Sequence, residues 1–389
     1  MKNNWQIKTL GEICTLDTAR NTRSGLPYVG MEDIESGTGR FLGSLDAKKV
    51  KGGSFSFTPQ HLLYGRLRPY LNKVMMPDFT GHCSTEVFPI RVKDELDRKF
   101  LFYWITDESI VKLIDATCTG ARMPRANLKE VFDFSLPVPS LPEQRRIVAI
   151  LDDVFERVAK AKANAEKNLA NAREVFESFR KDVFYNQEGK KDKLEDLCSI
   201  KHGFAFKSEY FRDSGDYVLL TPGNFYEPGG YRDRVEKQKY YVGEIPNGFI
   251  LNEGDLLVAM TEQAEGLLGS PMFVPEKNKF LHNQRLGLVE IKDKSKLDPN
   301  YLFHFFNTGK IRKSIHKDAT GVKVRHTSPT KLLSLNISLP PIKEQRTIVS
   351  NLDALSSETK QLEAIYRQKL SSLEELKKSV LRSAFRGEL

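Results

Sequence analysis

The chain has 389 residues, enough for two or three ordinary domains, and 40% of them are hydrophobic, as in folded globular proteins. It carries 60 Lys and Arg against 51 Asp and Glu, a net charge of +9. No run of 18 or more apolar residues occurs, and the N-terminus lacks the apolar region of a secretory signal. These features exclude collagen-like, disordered and membrane-spanning proteins, and we expect a cytoplasmic location.

Cysteine and histidine are sparse and scattered. Cys14, Cys83, Cys118 and Cys198 lack the paired spacing of a zinc site, and the seven histidines form no HxxxH or HExxH pair. We therefore predict no disulfide framework, no metal and no other cofactor, and we interpret the cysteines as single buried thiols.

The positive charge lies mainly outside two long segments. Residues 143–184 carry nine basic and eight acidic side chains, and residues 344–386 carry eight and six, which leaves a net +6 on the remaining chain. A surplus of this kind favours a nucleic-acid partner, although it also occurs for solubility alone.

The second half of the chain repeats the first at an offset of 201 residues. The aligned pairs are "FLFYWI" (100–105) with "YLFHFF" (301–306), Thr119-Gly120 with Thr320-Gly321, Glu143-Gln144-Arg145 with Glu344-Gln345-Arg346, and Phe184 with Phe385. Further forward, "TLGEICTL" (9–16) resembles "KLEDLCSI" (193–200) at an offset of 184. The sequence therefore contains two units that differ at the front and repeat at the back.

Apolar residues at alternating four- and three-residue spacing predict a long helix at the end of each unit. The first stripe is Ile147, Leu151, Val154, Val158, Ala161, Ala165, Leu169, Ala172, Phe176, Phe179 and Val183. The second is Ile348, Leu352, Leu355, Thr359, Leu362, Tyr366, Leu370, Leu373, Lys377, Val380 and Ala384. A helix of about 42 residues is roughly 63 Å long. Because one helix cannot bury its own stripe, we expect the two to pair as an antiparallel coiled coil.

Prolines and a Glu-Gln-Arg triplet mark the start of each helix, because Pro is tolerated only up to the first turn and the helix dipole favours an early Glu. The predicted domain–helix junctions are Pro139, Glu143, Gln144, Arg145, Pro340, Glu344, Gln345 and Arg346. We expect the glutamines to make first-turn hydrogen bonds that fix the junction, with contact to a partner or to DNA as the alternative. The first helix is expected to end near residues 185–191, where Asn186 and Gly189 suit a C-terminal cap.

The front segments mix short β-like runs with turn signals, and helical patterns follow at 99–115 and 299–316. The predicted strands lie in "TEVFPIRVKD" (85–94), "YVLLTPGNF" (217–225), "GDLLVAM" (254–260) and "LGLVEIKD" (286–293). The fold class is therefore α+β: two tandem α+β domains, 1–142 and 187–342, separated by spacer helices 143–186 and 343–389, in a pseudo-twofold internal repeat.

This arrangement resembles the specificity (S) subunit of Type I restriction-modification systems. The residues that carry the resemblance are "SLPVPSLPEQRRIVAILD" (135–152), "SLPPIKEQRTIVSNLD" (338–353) and "LRSAFRGEL" (381–389). The resemblance implies two target recognition domains, each reading half of a bipartite, asymmetric double-stranded DNA sequence. It also implies that the helices act as a ruler, that two DNA methyltransferase subunits dock on the chain, and that restriction subunits can join the complex.

Motifs for catalysis are missing from the sequence. The Pro340-Pro341 pair lacks the flanking residues of an adenine methyltransferase motif, and "NTGKIRK" (307–313) lacks two required positions of a phosphate-binding loop. A nuclease set could be assembled only from Asp78, Asp97 and Lys99. We therefore predict a non-catalytic DNA reader, with a free-standing DNA-binding nuclease or a coiled-coil scaffold as the alternatives.

Candidate DNA-binding residues follow from chemistry, because Arg, Lys, Asn and Gln read base edges and cations and aromatics anchor phosphates. They are Arg66, Arg68, Tyr70, Lys73, Arg122, Arg125, Asn127, Lys201, Lys207, Asn283, Gln284, Arg285, Lys323, Arg325 and His326. We expect Arg66, Arg68 and Tyr70 to alternate on one strand face. The loops "TGARMPRAN" (119–127) and "TGVKVRHTS" (320–328) are favoured because they occupy the same place in both repeats. Each residue has the alternative of being a solvated charge or a structural hydrogen-bonding group.

Overall fold

The computed structural model describes residues 5–21, 25–120, 122–185, 191–263 and 266–389. The chain divides into two compact units. The first contains Met1–Lys167 and Tyr366–Leu389, and the second contains Asn168–Ile365. Each unit thus combines one front segment with parts of both long helices.

The first unit is built on a four-stranded antiparallel sheet of order β2-β8-β5-β6 and a smaller sheet of order β3-β7-β4. Its strands are β1 (Gln6–Thr9), β2 (Cys14–Leu16), β3 (Tyr28–Val29), β4 (Ser54–Phe57), β5 (His61–Gly65), β6 (Val74–Met75), β7 (Gly81–Ser84), β8 (Val87–Val92) and β9 (Ser135–Val138). Its shorter helices are α1 (Leu10–Ile13), α2 (Arg98–Ile105), α3 (Glu108–Ala116) and α4 (Leu128–Phe132), with 3-10 turns at Met31–Asp33 and Pro69–Leu71.

The second unit has a four-stranded antiparallel sheet of order β11-β19-β15-β17 and a second sheet of order β12-β14-β13-β18. Its strands are β10 (Lys191–Lys193), β11 (Cys198–His202), β12 (Phe211–Arg212), β13 (Tyr217–Leu219), β14 (Tyr240–Tyr241), β15 (Leu256–Ala259), β16 (Thr261–Glu262), β17 (Pro271–Phe273), β18 (Phe280–Leu281), β19 (Leu286–Ile291), β20 (Arg325–His326) and β21 (Asn336–Ser338). Its shorter helices are α6 (Leu194–Leu197), α7 (Pro299–Phe306), α8 (Gly309–Lys317) and α9 (Pro329–Leu333), with 3-10 turns at Ser208–Tyr210, Pro222–Asn224 and Val235–Lys237.

The fold repeat reaches further forward than the sequence repeat. In both four-stranded sheets the strands lie side by side in the order first, fourth, second and third by their sequence position. All neighbouring pairs in these sheets are antiparallel. In both units the second sheet contains one parallel pair, β3 with β7 and β13 with β18. The α+β prediction is therefore confirmed, and the front segments, whose sequences align poorly, share this framework.

The helical patterns predicted at 99–115 and 299–316 are helical in the structure, and each consists of two helices, α2 with α3 and α7 with α8. In the first unit Asp107 causes the break, because its carboxylate accepts a hydrogen bond from the Ser109 backbone N–H at 2.9 Å and so caps α3. In the second unit the Thr308 hydroxyl donates to the Phe305 carbonyl at 2.8 Å where α7 ends.

The long helices are α5 (Leu141–Tyr185) and α10 (Ile342–Arg386), each of 45 residues. They begin slightly before the predicted boundaries, because Pro142 fits within the first turn of α5. Helix α10 ends where Gly387 takes a φ of +73°, the left-handed conformation that glycine allows. The cap predicted at Asn186 and Gly189 lies outside the described residues.

The apolar stripes are mostly covered. Every predicted stripe position of α5 is buried or half-buried, and so is every position of α10 except Leu362, which is 43% exposed. The prediction for Leu362 is therefore wrong. Its neighbour Glu363 faces α5 instead, where it accepts a hydrogen bond from Arg173 at 2.8 Å.

The core of each unit is closed by the start of one long helix and the end of the other. In the first unit Ile147 and Leu151 of α5 join Leu381 and Ala384 of α10 in one apolar cluster. In the second unit the cluster contains Ile348 and Leu352 of α10 and Val183 and Phe184 of α5. The aromatic contacts correspond as well, since Phe100 meets Phe385 at 5.0 Å and Tyr301 meets Phe184 at 4.9 Å between ring centroids.

A fully buried glutamine joins the first front segment to α5. The Gln144 Oε1 accepts a hydrogen bond from the Asp97 backbone N–H at 2.7 Å, and its Nε2 donates to the carbonyls of Glu95 at 2.9 Å and Pro139 at 2.8 Å. Because a buried amide must be satisfied, these three bonds specify how the first turn of α5 meets the segment that leads into α2.

Gln345 repeats this geometry in the second unit. Its Oε1 accepts from the Asp298 backbone N–H at 2.9 Å, and its Nε2 donates to the carbonyls of Lys296 at 2.7 Å and Pro340 at 2.8 Å. The remaining junction side chains lie outside this network: Glu143 pairs with Arg146 at 2.7 Å, Arg145 and Glu344 are exposed, and the Arg346 Nε lies 3.6 Å from Asp298.

We predict that Gln144→Ala lowers the unfolding free energy of the first unit by about 3 kcal/mol, because it leaves the buried Pro139 carbonyl and the part-buried backbone groups of Glu95 and Asp97 without the partner that Gln144 supplies. Arg145→Ala is the matched control at the neighbouring exposed position and should change it by less than about 0.5 kcal/mol. Denaturant unfolding of the full chain measures both. Equal, small effects of the two variants would show that the glutamine does not support the junction.

Candidate nucleic-acid interface

Two short loops close in the same way in the two units; we call residues 119–125 and 320–326 the TG loops. Thr119 and Arg125 exchange backbone hydrogen bonds at 3.1 and 3.2 Å, and Thr320 and His326 do so at 3.0 and 2.8 Å. The glycine after each threonine takes a positive φ, +88° and +97°. Ala121 lies outside the described residues. The closing bonds and the glycine conformation are therefore the same in the two loops, although the side chains differ.

Each TG loop lies along the residues that follow the central strand of its sheet, 66–68 after β5 and 260–262 after β15; we call these the extended segments. In the first unit the Ala126 N–H donates to the Arg66 carbonyl at 2.9 Å, and the Arg68 N–H donates to Pro124 at 2.8 Å. In the second unit the Thr327 N–H donates to the Met260 carbonyl at 2.9 Å, and β16 pairs with β20. The loops are thus anchored to the sheets.

A turn before the last sheet strand forms the next layer; we call residues 83–87 and 282–286 the hairpin turns. In the first, the buried Cys83 thiol donates to the Val87 carbonyl at 3.2 Å. In the second, the buried His282 Nε2 bonds to the Leu286 carbonyl at 3.0 Å. Burial raises the pKa of Cys83 to about 12 and lowers the pKa of His282 to about 4, so both groups are neutral donors at neutral pH.

The hairpin turns are bonded to the same segment that carries the TG loops. The Arg66 N–H donates to the Glu86 carbonyl at 3.0 Å, and the Met260 N–H donates to the Arg285 carbonyl at 2.9 Å. In each unit, hairpin turn, extended segment and TG loop therefore lie side by side. In the second unit Phe204 joins them, because its N–H donates to His282 and its carbonyl accepts from Gln284, both at 2.9 Å.

The structure brings most of the predicted DNA-binding residues into these layers, and many are accessible. The exposed ones in the layers are Arg68, Arg122, Gln284, Arg285, Lys323, Arg325 and His326, and Tyr70 and Lys207 are exposed outside them. Val322 at the tip of the second TG loop is 100% exposed and Met123 of the first is 46% exposed.

Other predicted residues are half-buried or buried and make structural contacts. Lys73 donates to the Met31 carbonyl at 2.6 Å, Asn127 to Glu130 at 2.5 Å, and Lys201 to the Gly248 carbonyl at 2.8 Å. Asn283 is 7% exposed, and its Oδ1 accepts from the Arg285 N–H at 3.0 Å within the hairpin turn.

The expected strand alternation of Arg66, Arg68 and Tyr70 is wrong. Strand β5 ends at Gly65, and Arg68 takes a left-handed conformation with φ +53° before the 3-10 turn that contains Tyr70. A non-glycine residue in this region costs about 1 kcal/mol or more. The bond from the Arg68 N–H to the TG loop holds this conformation, and it leaves Arg68 exposed beside that loop.

Glu86 of the first hairpin turn was missed from the sequence. Its carboxylate accepts from the Arg66 Nε at 3.0 Å and lies 2.9 Å from the Arg125 Nη2. Burial acts to raise the pKa of Glu86, but the bonds from both arginines outweigh it and hold this pKa below its usual value. By its backbone hydrogen bond Glu86 corresponds to Arg285 of the second unit, a correspondence that the sequence alone does not reveal.

The residues of the alternative nuclease set are used elsewhere. The Asp97 carboxylate caps α2 by accepting from the Lys99 and Phe100 N–H groups at 2.9 and 3.0 Å, and the Lys99 Nζ pairs with Asp152 at 2.7 Å. Asp78 is exposed. Within the described ranges, no group of three or more His, Cys, Asp or Glu residues could hold a metal ion, and no helix is long and apolar enough to cross a membrane.

Comparison with known proteins agrees with the duplicated architecture. The profile of the Type I restriction modification DNA specificity domain matches residues 2–168 and again residues 186–372. The chain belongs to this family. The resemblance inferred from the repeated "EQR" junctions is therefore confirmed.

Members of the family with curated names align at low identity. The EcoDI specificity subunit of Escherichia coli is 27% identical over 47% of this chain and 42% of its own length. The MjaVIII specificity subunit of Methanocaldococcus jannaschii is 23% identical over 79% of this chain and 74% of its own length. The alignments with the EcoDI and EcoBI subunits thus span less than half of those relatives, 42% and 38%.

Solved structures share the fold over the whole chain. A chain from a study of complex assembly and conformational transition of the type I R-M system matches with a TM-score of 0.81 at 20% identity, covering 100% of this chain and 99% of the other. The HsdS subunit from Thermoanaerobacter tengcongensis matches with a TM-score of 0.70 at 20% identity, covering 100% and 98%.

Buried His282 makes the stability of this chain depend on pH. Because the folded pKa lies near 4 and the ordinary value is 6.5, the unfolded chain binds a proton in this window and the folded chain does not. The contribution of His282 to stability is present above pH 6.5 and is lost as the pH falls to 4, on the order of 3 kcal/mol.

His282→Cys places a thiol where the first hairpin turn has Cys83, and it removes the titrating imidazole. Denaturant unfolding at pH 7 and pH 4.5 should therefore show a smaller pH-dependent loss in the variant than in the unsubstituted chain. The same loss in both proteins would contradict the assignment of the titration to His282.

Proposed function

We propose that this chain is the DNA-specificity subunit of a Type I restriction-modification complex, with residues 1–142 and 187–342 as its target recognition domains. The observation that carries the proposal is the layered surface of hairpin turn, extended segment and TG loop. It has the same backbone bonding in both units and different side chains at corresponding positions. One framework with two sets of side chains suits the reading of two unlike half-sites.

The exposed side chains of this surface have the chemistry that DNA requires. Arg122 and Lys323 occupy corresponding, exposed positions of the two TG loops and can neutralise phosphates. Gln284 and Arg285 lie on the second hairpin turn, and both side chains can bind base edges in a bidentate manner. The target is therefore double-stranded DNA, with phosphate contacts that position the chain and base contacts that specify the sequence.

The chain itself does no catalysis in this proposal. DNA methylation belongs to two methyltransferase subunits that dock on it, and restriction subunits can join the same complex, as family membership implies. The contacts of Asp97 and Lys99 within the fold give no support to a free-standing nuclease. A scaffold role leaves the two specificity-domain matches without explanation.

The spacer helices pair as an antiparallel coiled coil in this proposal. The Lys162 Nζ lies 2.8 Å from Glu374 in the first unit, and the Arg173 Nε lies 2.8 Å from Glu363 in the second. From the first of these ion pairs to the second, the residue number rises by eleven along α5 and falls by eleven along α10, as antiparallel helices require. Together with the reciprocal closing of the two cores, this register supports a pseudo-twofold repeat and a ruler between the domains.

A selection experiment tests the function. The chain, assembled with its methyltransferase partner, is offered double-stranded DNA with randomised sequence, and the bound fraction is sequenced. We expect two unlike half-sites separated by a fixed number of unspecified base pairs, and no methylation or cleavage by the chain alone. Failure to enrich any split sequence, or unaided cleavage, would contradict the proposal.

The ruler makes a separate prediction. Inserting seven residues, about two helical turns or roughly 10 Å, after Lys167 in α5 and after Ile365 in α10 keeps each apolar stripe in register. The selected sequence should keep both half-sites and gain about three base pairs between them, at 3.4 Å per base pair. Single insertions in only one helix serve as the control and should abolish selection. Altered half-sites at unchanged spacing would contradict the ruler.

A further inference from the structure

The first recognition surface contains an ion cluster of one acid and two arginines, and the corresponding positions of the second surface carry other residues. Glu86 bonds the guanidinium groups of Arg66 and Arg125, which come from the extended segment and the TG loop. The three side chains are 22%, 33% and 37% exposed, so the cluster lies at the edge of the surface. The Arg66 guanidinium also lies 5.0 Å from the centre of the Phe88 ring, which covers one of its faces.

The corresponding positions of the second surface carry other side chains. By their backbone bonds, Glu86 corresponds to Arg285 and Arg66 to Met260, and by the repeat offset Arg125 corresponds to His326. The hairpin turn, the extended segment and the TG loop still assemble there. In the second unit the framework therefore forms without an acid at the position of Glu86.

We propose that Glu86 is a positioning residue that sets the specificity of the first half-site by fixing Arg66 and Arg125 for DNA. This inference rests on the proposed function. A guanidinium has five N–H donors, and Glu86 engages Arg66 through Nε alone, so four donors of that group stay available for base edges or phosphate. A side chain already held in one geometry loses less conformational entropy on binding than a mobile one.

Two effects follow from removing the carboxylate. Arg66 and Arg125 lose the common acceptor that holds them, so several arginine geometries compete and discrimination between bases falls. The surface also gains one net positive charge, which strengthens binding to any duplex and steepens its dependence on salt. Loss of selectivity and gain of non-specific affinity therefore appear together.

The test repeats the randomised-DNA selection with the full chain and its methyltransferase partner, using Glu86→Gln. We expect discrimination in the first half-site to fall about tenfold, the second half-site to be unchanged, and binding to a fixed non-target duplex to rise with a steeper salt dependence. Arg285→Gln is the matched variant at the corresponding position and should alter the second half-site alone. The unfolding midpoint of each variant is measured in parallel.

Further variants separate positioning from direct contact. Glu86→Asp keeps a carboxylate and should recover part of the selectivity. Arg125→Gln should cost less selectivity in the Glu86→Gln background than in the unsubstituted chain, because the carboxylate that positions Arg125 is already absent there. Unchanged selectivity in Glu86→Gln overturns the inference. So does a changed preference at a single base pair, since that outcome assigns Glu86 itself to a base.

The same experiment distinguishes this inference from the function on which it rests. If the unsubstituted chain enriches no split sequence, the proposed function fails and this inference fails with it. If the unsubstituted chain enriches two half-sites and Glu86→Gln loses both equally with a lowered unfolding midpoint, the role of Glu86 is structural and only the positioning role is overturned.

Discussion

An amphipathic helix cannot bury its own apolar stripe, and both long helices are subject to this constraint. The first turns of α5 complete the core of the first unit through Ile147 and Leu151, and its last turns complete the core of the second through Phe184. Helix α10 does the reverse, with Phe385 against Phe100 in the first unit. Each core therefore depends on both helices, and the two halves of the sequence need each other to fold.

Hydrogen-bonded junctions connect the long helices to the front segments. Buried Gln144 and Gln345 bond the starts of α5 and α10 to the segments that lead into α2 and α7, through the same three backbone positions at an offset of 201 residues. Beyond the junctions the backbone of hairpin turn, extended segment and TG loop is also shared, while its side chains differ, as at Glu86 and Arg285. Under the proposed function, a shared frame with exchangeable side chains lets one fold bind unlike DNA sequences.

Periodicity and proline positions predicted the long helices to within three residues at each described end, because both signals are local. The sequence did not predict the break before α3, which depends on one capping carboxylate, or the left-handed Arg68, which no glycine marks. The role of Glu86 could not be predicted from the sequence for another reason. Its partners lie 20 and 39 residues away in sequence, and only the folded sheet brings them together.

The central claim is that this chain determines the DNA sequence at which a methyltransferase acts. Mapping methylated bases across the chromosome of the host, with the gene intact and with it deleted, tests this claim most directly. The account predicts one split, asymmetric motif that is methylated in the first strain and unmethylated in the second. An identical set of methylated motifs in both strains would contradict it.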